Sequence, residues 1–223
     1  MKIHISFDEQ YAKNSEIFLS SIQDTDIELV SNKILLNNPS TGFRSKSWYD
    51  CVRSKIEFYA EQFSDLSNEE ILVTSDLDVY YFKPEQLVKT YTNFIDSSLD
   101  FIGMSEQFKC SDEINTGLFF IKKNKRTKNF FNEILKFDFS QFKLGDQDAL
   151  NIVLQRSNIN WSTLDPKTYV MGCFFHLLQT DEYENIVAVH TTCTSNIKEK
   201  VEQINLIKNK MSSDYLWWDH SYG

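Results

Sequence analysis

The chain has 223 residues, of which 41% are hydrophobic and 14% aromatic, which is enough apolar surface for one sizeable core. Its formal net charge is −9 and its pI is near 5.0. Such a surface repels phosphate backbones, so nucleic acid is a poor candidate partner, and it is not attracted to anionic membranes. An anionic nucleotide could still bind where a metal ion supplies positive charge locally.

The cysteines and the N-terminus bear on the cellular compartment. The sequence contains no Cys-x-x-Cys pair, so a zinc ribbon is not indicated, and we expect free thiols in a reducing compartment. The first seven residues are too short for the apolar core of a signal peptide, and no apolar run reaches the roughly 20 residues of a membrane helix. We therefore expect a soluble, cytoplasmic protein with neither segment. The four cysteines are Cys51, Cys110, Cys173 and Cys193.

The first part of the chain predicts alternating strands and helices. Residues 2–7 are typical of a buried strand, residues 9–22 of a helix and residues 27–30 of a second strand. The polar residues 32–47 predict a loop, whose last residue, Ser47, is expected to cap the next helix. That helix shows an apolar residue every three or four positions, at Trp48, Val52, Ile56, Tyr59 and Phe63.

The alternation continues to the end of the chain. Further strands are predicted at residues 71–75, 101–104, 117–121 and 186–189, and helices from Pro84 and over residues 127–137, 146–155 and 198–210. Strands that alternate with helices indicate an α/β sheet with parallel pairing. Without an internal repeat or a low-complexity linker, residues 1–223 are expected to form a single domain.

Two aspartates follow the predicted strand at residues 71–75. Asp76 and Asp78 stand at its carboxyl end, where open α/β sheets bind ligands, and carboxylate oxygens suit Mg²⁺ or Mn²⁺. The same spacing also occurs in solvated acidic turns. A calcium loop is disfavoured because its expected glycine and closing glutamate are missing.

A histidine ends the last predicted strand. His190 follows the apolar residues 186–189, and an imidazole added to two carboxylates suits Mn²⁺ better than Ca²⁺, although such a histidine is more often structural. Lys198 follows and could hold a diphosphate as a point charge, but a lysine on a polar helix is usually only solvated.

In two further segments, polar residues stand where a strand or a helix is predicted to begin. Asn115, Thr116 and Gly117 precede an apolar run, which fits an ordinary turn or a place where the backbone approaches a ligand. Asp146 and Gln147 open a helix, where an acidic residue contributes a few tenths of a kcal/mol through the helix dipole. Gln147 has no evident structural role in that position.

Taken together and in this order, these segments resemble the GT-A glycosyltransferases of the glycogenin and lipopolysaccharide galactosyltransferase type. They are also similar to the related nucleotide-diphospho-sugar transferase family of plants and algae, over residues 3–198; such enzymes also occur in large DNA viruses. The resemblance implies a Rossmann-like, mixed and mostly parallel sheet flanked by helices. It also implies retaining transfer of a hexose or pentose from a UDP-sugar to a glycan or protein-linked acceptor, with Mn²⁺ or Mg²⁺ as cofactor.

The resemblance assigns a nucleotide-binding role to the first strand and its loop. It implies that Asp8 meets the uracil edge, that Tyr11 stacks on the ring, and that the backbone of Ser6 and Phe7 lines the base. Lys55 falls where the family has a basic residue ahead of the acidic motif.

The same resemblance implies the ligands of the metal and the diphosphate. Asp76 and Asp78, with Leu77 between them, correspond to the Asp-x-Asp motif that holds the metal and the ribose of the nucleotide, and His190 corresponds to the third metal ligand. Lys198 corresponds to the diphosphate lysine, but the family's glycine between that histidine and lysine is absent here and the spacing is longer.

The remaining residues are implied to face the sugar. Asn115 and Gly117 match the segment that touches the donor sugar, and Asp146 and Gln147 match the Asp-Gln pair beneath it. Gln147 would steady the positive charge at the reacting carbon, and Asp146 would bind sugar hydroxyls or position Gln147.

Three other functions are alternatives to this one. A haloacid dehalogenase-like phosphohydrolase would use Asp76 as nucleophile and Asp78 as acid, but Tyr80 stands where that motif usually has Thr or Val. A non-catalytic nucleotide-sugar-binding domain is the second alternative. A nucleotidylyltransferase would need a basic, glycine-rich loop after the first strand, and residues 8–11 are acidic and lack glycine.

Overall fold

The computed structural model describes residues 1–12, 16–23, 25–35, 43–108, 112–194 and 196–212. Cys110 and residues 213–223 lie outside the described residues. Nine strands are found in the described part: β1 (Lys2–Asp8), β2 (Glu28–Ile34), β3 (Ile71–Ser75), β4 (Val79–Tyr81), β5 (Phe101–Ser105), β6 (Ile114–Lys122), β7 (Trp161–Thr163), β8 (Tyr169–Met171) and β9 (Ala188–His190).

Six of these strands form one mixed sheet. Its order is β2-β1-β3-β6-β5-β7, and the pairs β1–β2, β1–β3 and β5–β7 are parallel. The strand β6 runs antiparallel to both of its neighbours. A second, three-stranded sheet has the order β4-β9-β8. The α/β class and the mostly parallel central sheet are therefore confirmed.

Helices flank the sheet. They are α1 (Glu9–Ala12), α2 (Glu16–Leu19), α3 (Lys46–Asp65), α4 (Pro84–Asp96), α5 (Phe130–Ile134), α6 (Asp146–Arg156) and α7 (Ile197–Met211). Among the described residues, none of the helices combines the length and the apolar character that crossing a membrane requires.

Three predicted helix boundaries are wrong. Ser45, not Ser47, caps α3: its backbone is extended and its Oγ accepts from the Trp48 N–H at 3.2 Å, whereas residue 47 is already helical. The single helix predicted over residues 9–22 is divided into short helical segments, with residues 13–15 outside the described part. The helix predicted over residues 127–137 is shorter in the structure, where only α5 is helical. It begins later than predicted because Thr127 is held in a turn by Asn124.

The core lies on both faces of the central sheet. All nine residues of β6 are buried, and alternate side chains point to opposite faces. Phe119 and Ile121 pack with the apolar face of α3 and with α5 and α6, while Leu118 and Phe120 pack on the side of α4. Burial of each such side chain contributes about 1.5–3 kcal/mol, so β6 anchors the sheet that carries the polar residues at its edge.

The strand pairing explains why distant residues meet at one edge. The carboxyl ends of β1 and β3 are adjacent because these strands are parallel. The amino end of β6 meets that edge because β6 is antiparallel to β3, with Ser75 opposite Leu118. In the small sheet, Val79 pairs with His190, so the histidine stands beside the turn that follows β3.

Candidate active site

An Asp–Asp–His cluster, formed by Asp76, Asp78 and His190, lies at this edge of the sheet. His190 Nε2 is 3.3 Å from Asp78 Oδ1 and 3.8 Å from Asp76 Oδ2. Each residue offers one ligand atom, and these atoms lie within 4.8 Å of one another. Two carboxylates and an imidazole form the mixed oxygen and nitrogen set that suits a divalent ion such as Mn²⁺. The three residues are therefore placed to bind a metal ion, as expected from the sequence.

Backbone and side-chain hydrogen bonds fix the cluster. Thr191 donates to the Asp78 carbonyl oxygen from its N–H at 3.1 Å and from its hydroxyl at 3.0 Å. Asn115 Oδ1 lies 2.8 Å from His190 Nδ1 and also accepts from the Gly117 N–H at 2.8 Å. Because that amide oxygen can only accept, the proton of the imidazole belongs on Nδ1, which leaves the Nε2 lone pair facing the aspartates.

The hydrogen bonds continue from Asn115 to Gln147. The Asn115 side-chain amide donates to Gln147 Oε1 at 3.0 Å and to Glu106 Oε2 at 2.8 Å. The Thr116 N–H also reaches Gln147 Oε1, at 3.4 Å. Asn115 therefore connects His190 to Gln147 and fixes the orientation of both side chains.

One lysine bridges two carboxylates in the site. Lys55, from α3, lies 2.8 Å from Asp146 Oδ2 and 3.1 Å from Asp76 Oδ1, and its side chain is 12% exposed. Burial alone would lower the pKa of Lys55, but the two carboxylates raise it well above its ordinary value. Burial raises the pKa of Asp146. Lys55 is therefore a fixed positive charge beside the Asp–Asp–His cluster.

A second lysine contacts the other aspartate. Lys200, from α7, lies 2.5 Å from Asp78 Oδ2 and donates to the Thr191 carbonyl oxygen at 2.9 Å. Burial would raise the pKa of Asp78, but the ammonium group of Lys200 holds it well below its ordinary value. Asp78 is therefore ionised over the whole working range of pH, as a metal ligand must be.

A cleft runs from the cluster along β1 and α3. It encloses about 620 Å³ of empty space, part of it open to solvent, and it includes the predicted residues Ser6, Phe7, Asp8, Tyr11, Lys55 and Leu77. Asp8 Oδ1 accepts from the Tyr11 N–H at 2.9 Å, and Asp8 Oδ2 accepts from the Cys51 thiol at 3.8 Å. Burial raises the pKa of Tyr11 to about 12, so the ring is neutral and suited to packing.

Sequence reasoning missed part of the wall of this cleft. Trp48, Cys51 and Val52 line it from α3 together with Lys55, and Ile34 lines it from β2. The α3 residues are spaced three or four apart, so they share one side of the helix. Trp48 and Val52 also belong to the apolar face that the helical period predicted for α3, so the cleft lies along the edge of that face.

The family model that matches residues 28–204 is described as the nucleotide-diphospho-sugar transferase. This match covers well over half of the chain. The chain belongs to the nucleotide-diphospho-sugar transferase family. A search of curated protein sequences finds no match.

Solved structures of glycosyltransferases share the fold of this transferase family member. A glycosyltransferase involved in the glycosylation of the major capsid of PBCV-1 is 18% identical, with a TM-score of 0.60 over 93% of this chain and 100% of that one. The galactosyltransferase LgtC, in complex with donor and acceptor sugar analogs, is 14% identical, with a TM-score of 0.52 over 92% and 96%. GlyE of Streptococcus pneumoniae TIGR4 is 12% identical, with a TM-score of 0.55 over 94% of this chain and 63% of GlyE. The GT-A fold is thus confirmed.

The transferase differs from the sequence prediction at one lysine. Lys198 has an 85% exposed side chain that lies 3.7 Å from Glu202, so the structure does not bring it to the cluster. Lys200 is there instead, because residues two apart on a helix point in nearly opposite directions. The signal was present in the sequence: Lys200 shares a helical stripe with the buried Ile197, Ile204 and Ile207.

Gly117 provides a test of how tightly the transferase holds its histidine. A Cβ atom at this position would lie 2.2 Å from His190 Nδ1 and 2.8 Å from Asn115 Oδ1. We expect Gly117→Ala to displace the imidazole, weaken Mn²⁺ binding at least about tenfold, and destabilise the fold by about 1–3 kcal/mol. Mn²⁺ titration followed by electron paramagnetic resonance, together with urea unfolding, measures both effects.

Gly103→Ala is the matched control. Its Cβ would meet Ile114 Cγ2 at 2.8 Å and Phe119 Cβ at 3.0 Å, in the same sheet but away from the imidazole. It is expected to lower stability with little change in the affinity of the folded protein for Mn²⁺. Unchanged Mn²⁺ affinity in Gly117→Ala would show that His190 is not a ligand.

Proposed function

We propose that this chain is a metal-dependent, retaining glycosyltransferase that moves a sugar from a UDP-sugar to a glycan or protein-linked acceptor. The observation that carries the proposal is the position of the Asp–Asp–His cluster at the end of the cleft lined by Asp8 and Tyr11. A nucleotide in that cleft would place its diphosphate beside the cluster. Membership of the nucleotide-diphospho-sugar transferase family supports the same assignment.

The cleft residues would hold the nucleoside. The Asp8 carboxylate accepts hydrogen bonds, so it suits the imide N–H of uracil, and the neutral ring of Tyr11 would pack against the base. The apolar side chains of Val52 and Ile34 line the same cleft and would exclude water from the base.

Asp76, Asp78 and His190 would hold Mn²⁺ or Mg²⁺. When bound, the ion would neutralise the charge that develops on the departing diphosphate. Lys55 would add a fixed positive charge beside it. Lys200 would contact the diphosphate in the role that the resemblance had given to Lys198, because its ammonium group is the one at the cluster.

Gln147 and Asp146 would face the reacting sugar. Gln147 is buried, and its carbonyl dipole, oriented by Asn115, would stabilise the positive charge at the anomeric carbon. Asp146, paired with Lys55, would bind sugar hydroxyls or position Gln147. The acceptor proton would pass to the departing phosphate oxygen.

A donor-hydrolysis screen tests the proposal. The purified chain would be incubated with UDP-, GDP- and ADP-sugars in the presence of Mn²⁺, Mg²⁺ or a chelator, and free nucleoside diphosphate would be measured. Because the diphosphate leaves as an anion that the metal neutralises, we expect release from a UDP-sugar that the chelator reduces by at least about 100-fold.

Two results would contradict the proposal. Release of phosphate from phosphate monoesters, with a phosphorylated Asp76, would instead indicate a phosphohydrolase. Metal-dependent UDP binding without release from any sugar, even with a panel of glycan acceptors, would indicate a non-catalytic nucleotide-sugar-binding domain.

A further inference from the structure

The ammonium group of Lys200 already contacts one oxygen of the Asp78 carboxylate. Lys200 Nζ lies 2.5 Å from Asp78 Oδ2, and the lysine side chain is only 11% exposed. The other oxygen, Oδ1, faces His190 Nε2 at 3.3 Å. A metal ion that binds Asp78 therefore has to share this carboxylate with a positive charge that is already present.

The net charge of the site also disfavours the binding of a metal ion in the absence of a nucleotide. The carboxylates of Asp76, Asp78 and Asp146 are ion-paired with the ammonium groups of Lys55 and Lys200. Among these five groups one negative charge is left unbalanced, so a divalent ion would give the five together a net positive charge. Two cations at one carboxylate repel each other strongly where water is largely excluded.

Lys200 is the lysine that can move. Lys55 is held between two carboxylates, those of Asp76 and Asp146. Among the described residues, Lys200 has one carboxylate partner, Asp78, and a neutral carbonyl. A lysine side chain is flexible, and Lys200 lies near the amino end of α7, where the helix dipole adds to the attraction of an anion. A diphosphate at the cluster would therefore draw the ammonium group away from Asp78.

We propose that the ammonium group of Lys200 is exchanged between two partners. It pairs with Asp78 in the empty site, and it moves to the diphosphate when the metal ion and the nucleotide bind. The inference rests on the proposed function. It follows that the metal ion and the nucleoside diphosphate each bind weakly alone and tightly together, because Lys200 opposes the first and attracts the second. This coupling is reciprocal, since each ligand must raise the affinity for the other by the same factor.

Direct binding measurements on the whole chain test this inference without an activity assay. Mn²⁺ would be titrated alone and with saturating UDP, and UDP would be titrated calorimetrically with and without Mn²⁺. In the wild type, we expect UDP to tighten Mn²⁺ binding at least about tenfold. Lys200→Gln keeps a donor for Asp78 and removes the charge. It should bind Mn²⁺ alone about five- to tenfold more tightly and bind UDP with Mn²⁺ about tenfold more weakly.

Two further variants serve as controls. Lys198→Gln removes a charge from the same helix at an exposed position and should match the wild type. Lys200→Arg keeps the charge and should keep the coupling. If thermal unfolding shows that Lys200→Gln is not folded, Lys200→Met removes the same charge and is measured in its place.

The outcomes separate this inference from the proposed function. The exchange would be overturned if a folded variant without the Lys200 charge kept the coupling between Mn²⁺ and UDP. It would also be overturned if that variant bound Mn²⁺ alone no more tightly than the wild type. Either result would leave the transferase proposal standing. A wild type that binds neither Mn²⁺ nor UDP would overturn both.

Discussion

Asp78→Asn is expected to lower kcat/KM for UDP-sugar hydrolysis about 100- to 1000-fold. The change removes a negative charge from the Asp–Asp–His cluster but keeps an oxygen that can accept from Lys200, which lies 2.5 Å from Asp78 Oδ2. The metal ion would lose one of its two carboxylates, and the departing diphosphate would lose the charge neutralisation that the ion supplies. Initial rates of UDP release at several Mn²⁺ concentrations measure the effect.

The control for Asp78→Asn is an exposed aspartate outside the cluster. Asp181→Asn alters an exposed residue of the 3₁₀ helix Thr180–Asn185 and should keep wild-type rates. Thermal unfolding should show both variants folded. An activity within about threefold of wild type in Asp78→Asn would exclude this carboxylate as a metal ligand.

Gln147→Ala is expected to reduce kcat about 100-fold and to change KM for the donor less than about threefold. Gln147 is 8% exposed, and its Oε1 accepts from Asn115 at 3.0 Å, so its amide is held in one orientation. Such a fixed dipole acts mainly on the charge that develops in the transition state, and its loss therefore affects turnover more than ground-state binding. Steady-state kinetics over a range of UDP-sugar concentrations separates the two parameters.

Another glutamine of the same helix gives the matched control for Gln147→Ala. Gln155 lies near the end of α6 on an exposed face, where it reaches the Asp112 carbonyl oxygen at 3.5 Å. Gln155→Ala should leave both kinetic parameters unchanged. A larger effect of Gln147→Ala on KM than on kcat would indicate that this residue binds the donor and does not act on the reacting carbon.

The parts of the site that the sequence predicted depend on local patterns. The apolar residues of β3 lead directly to Asp76, and the apolar residues before His190 end a strand in the same way. In each case a short segment determines both the strand and the position of the polar residue at its end. Asp146 and Gln147 were recognisable for the same reason, since they begin α6.

The parts that the sequence did not predict depend on distant partners. β4 and β8 have only three residues each, and both pair with β9. The β4–β9 pairing joins Val79 to His190, more than 100 positions away in the chain. Asn115 was expected before a strand but lies inside β6, whose first residues pair with the end of β5 across an irregular register. Such pairings are not encoded in local periodicity.

Lys200 was only partly predictable from the sequence. The helical period of α7 places it on the buried side, but the family resemblance drew attention to Lys198 instead. A buried lysine that lies at the edge of an apolar stripe requires a carboxylate partner, because an unpaired buried charge is very costly. The partner, Asp78, is far away in the sequence and is visible only in the fold.

The most direct test of the central claim is a crystal structure with Mn²⁺ and UDP, with diffraction data collected near the manganese absorption edge. We predict an anomalous peak within roughly 2.0–2.6 Å of carboxylate oxygens of Asp76 and Asp78 and of His190 Nε2, with the uracil ring between Asp8 and Tyr11. UDP bound elsewhere, or bound in this cleft with no manganese at the three residues, would contradict the account.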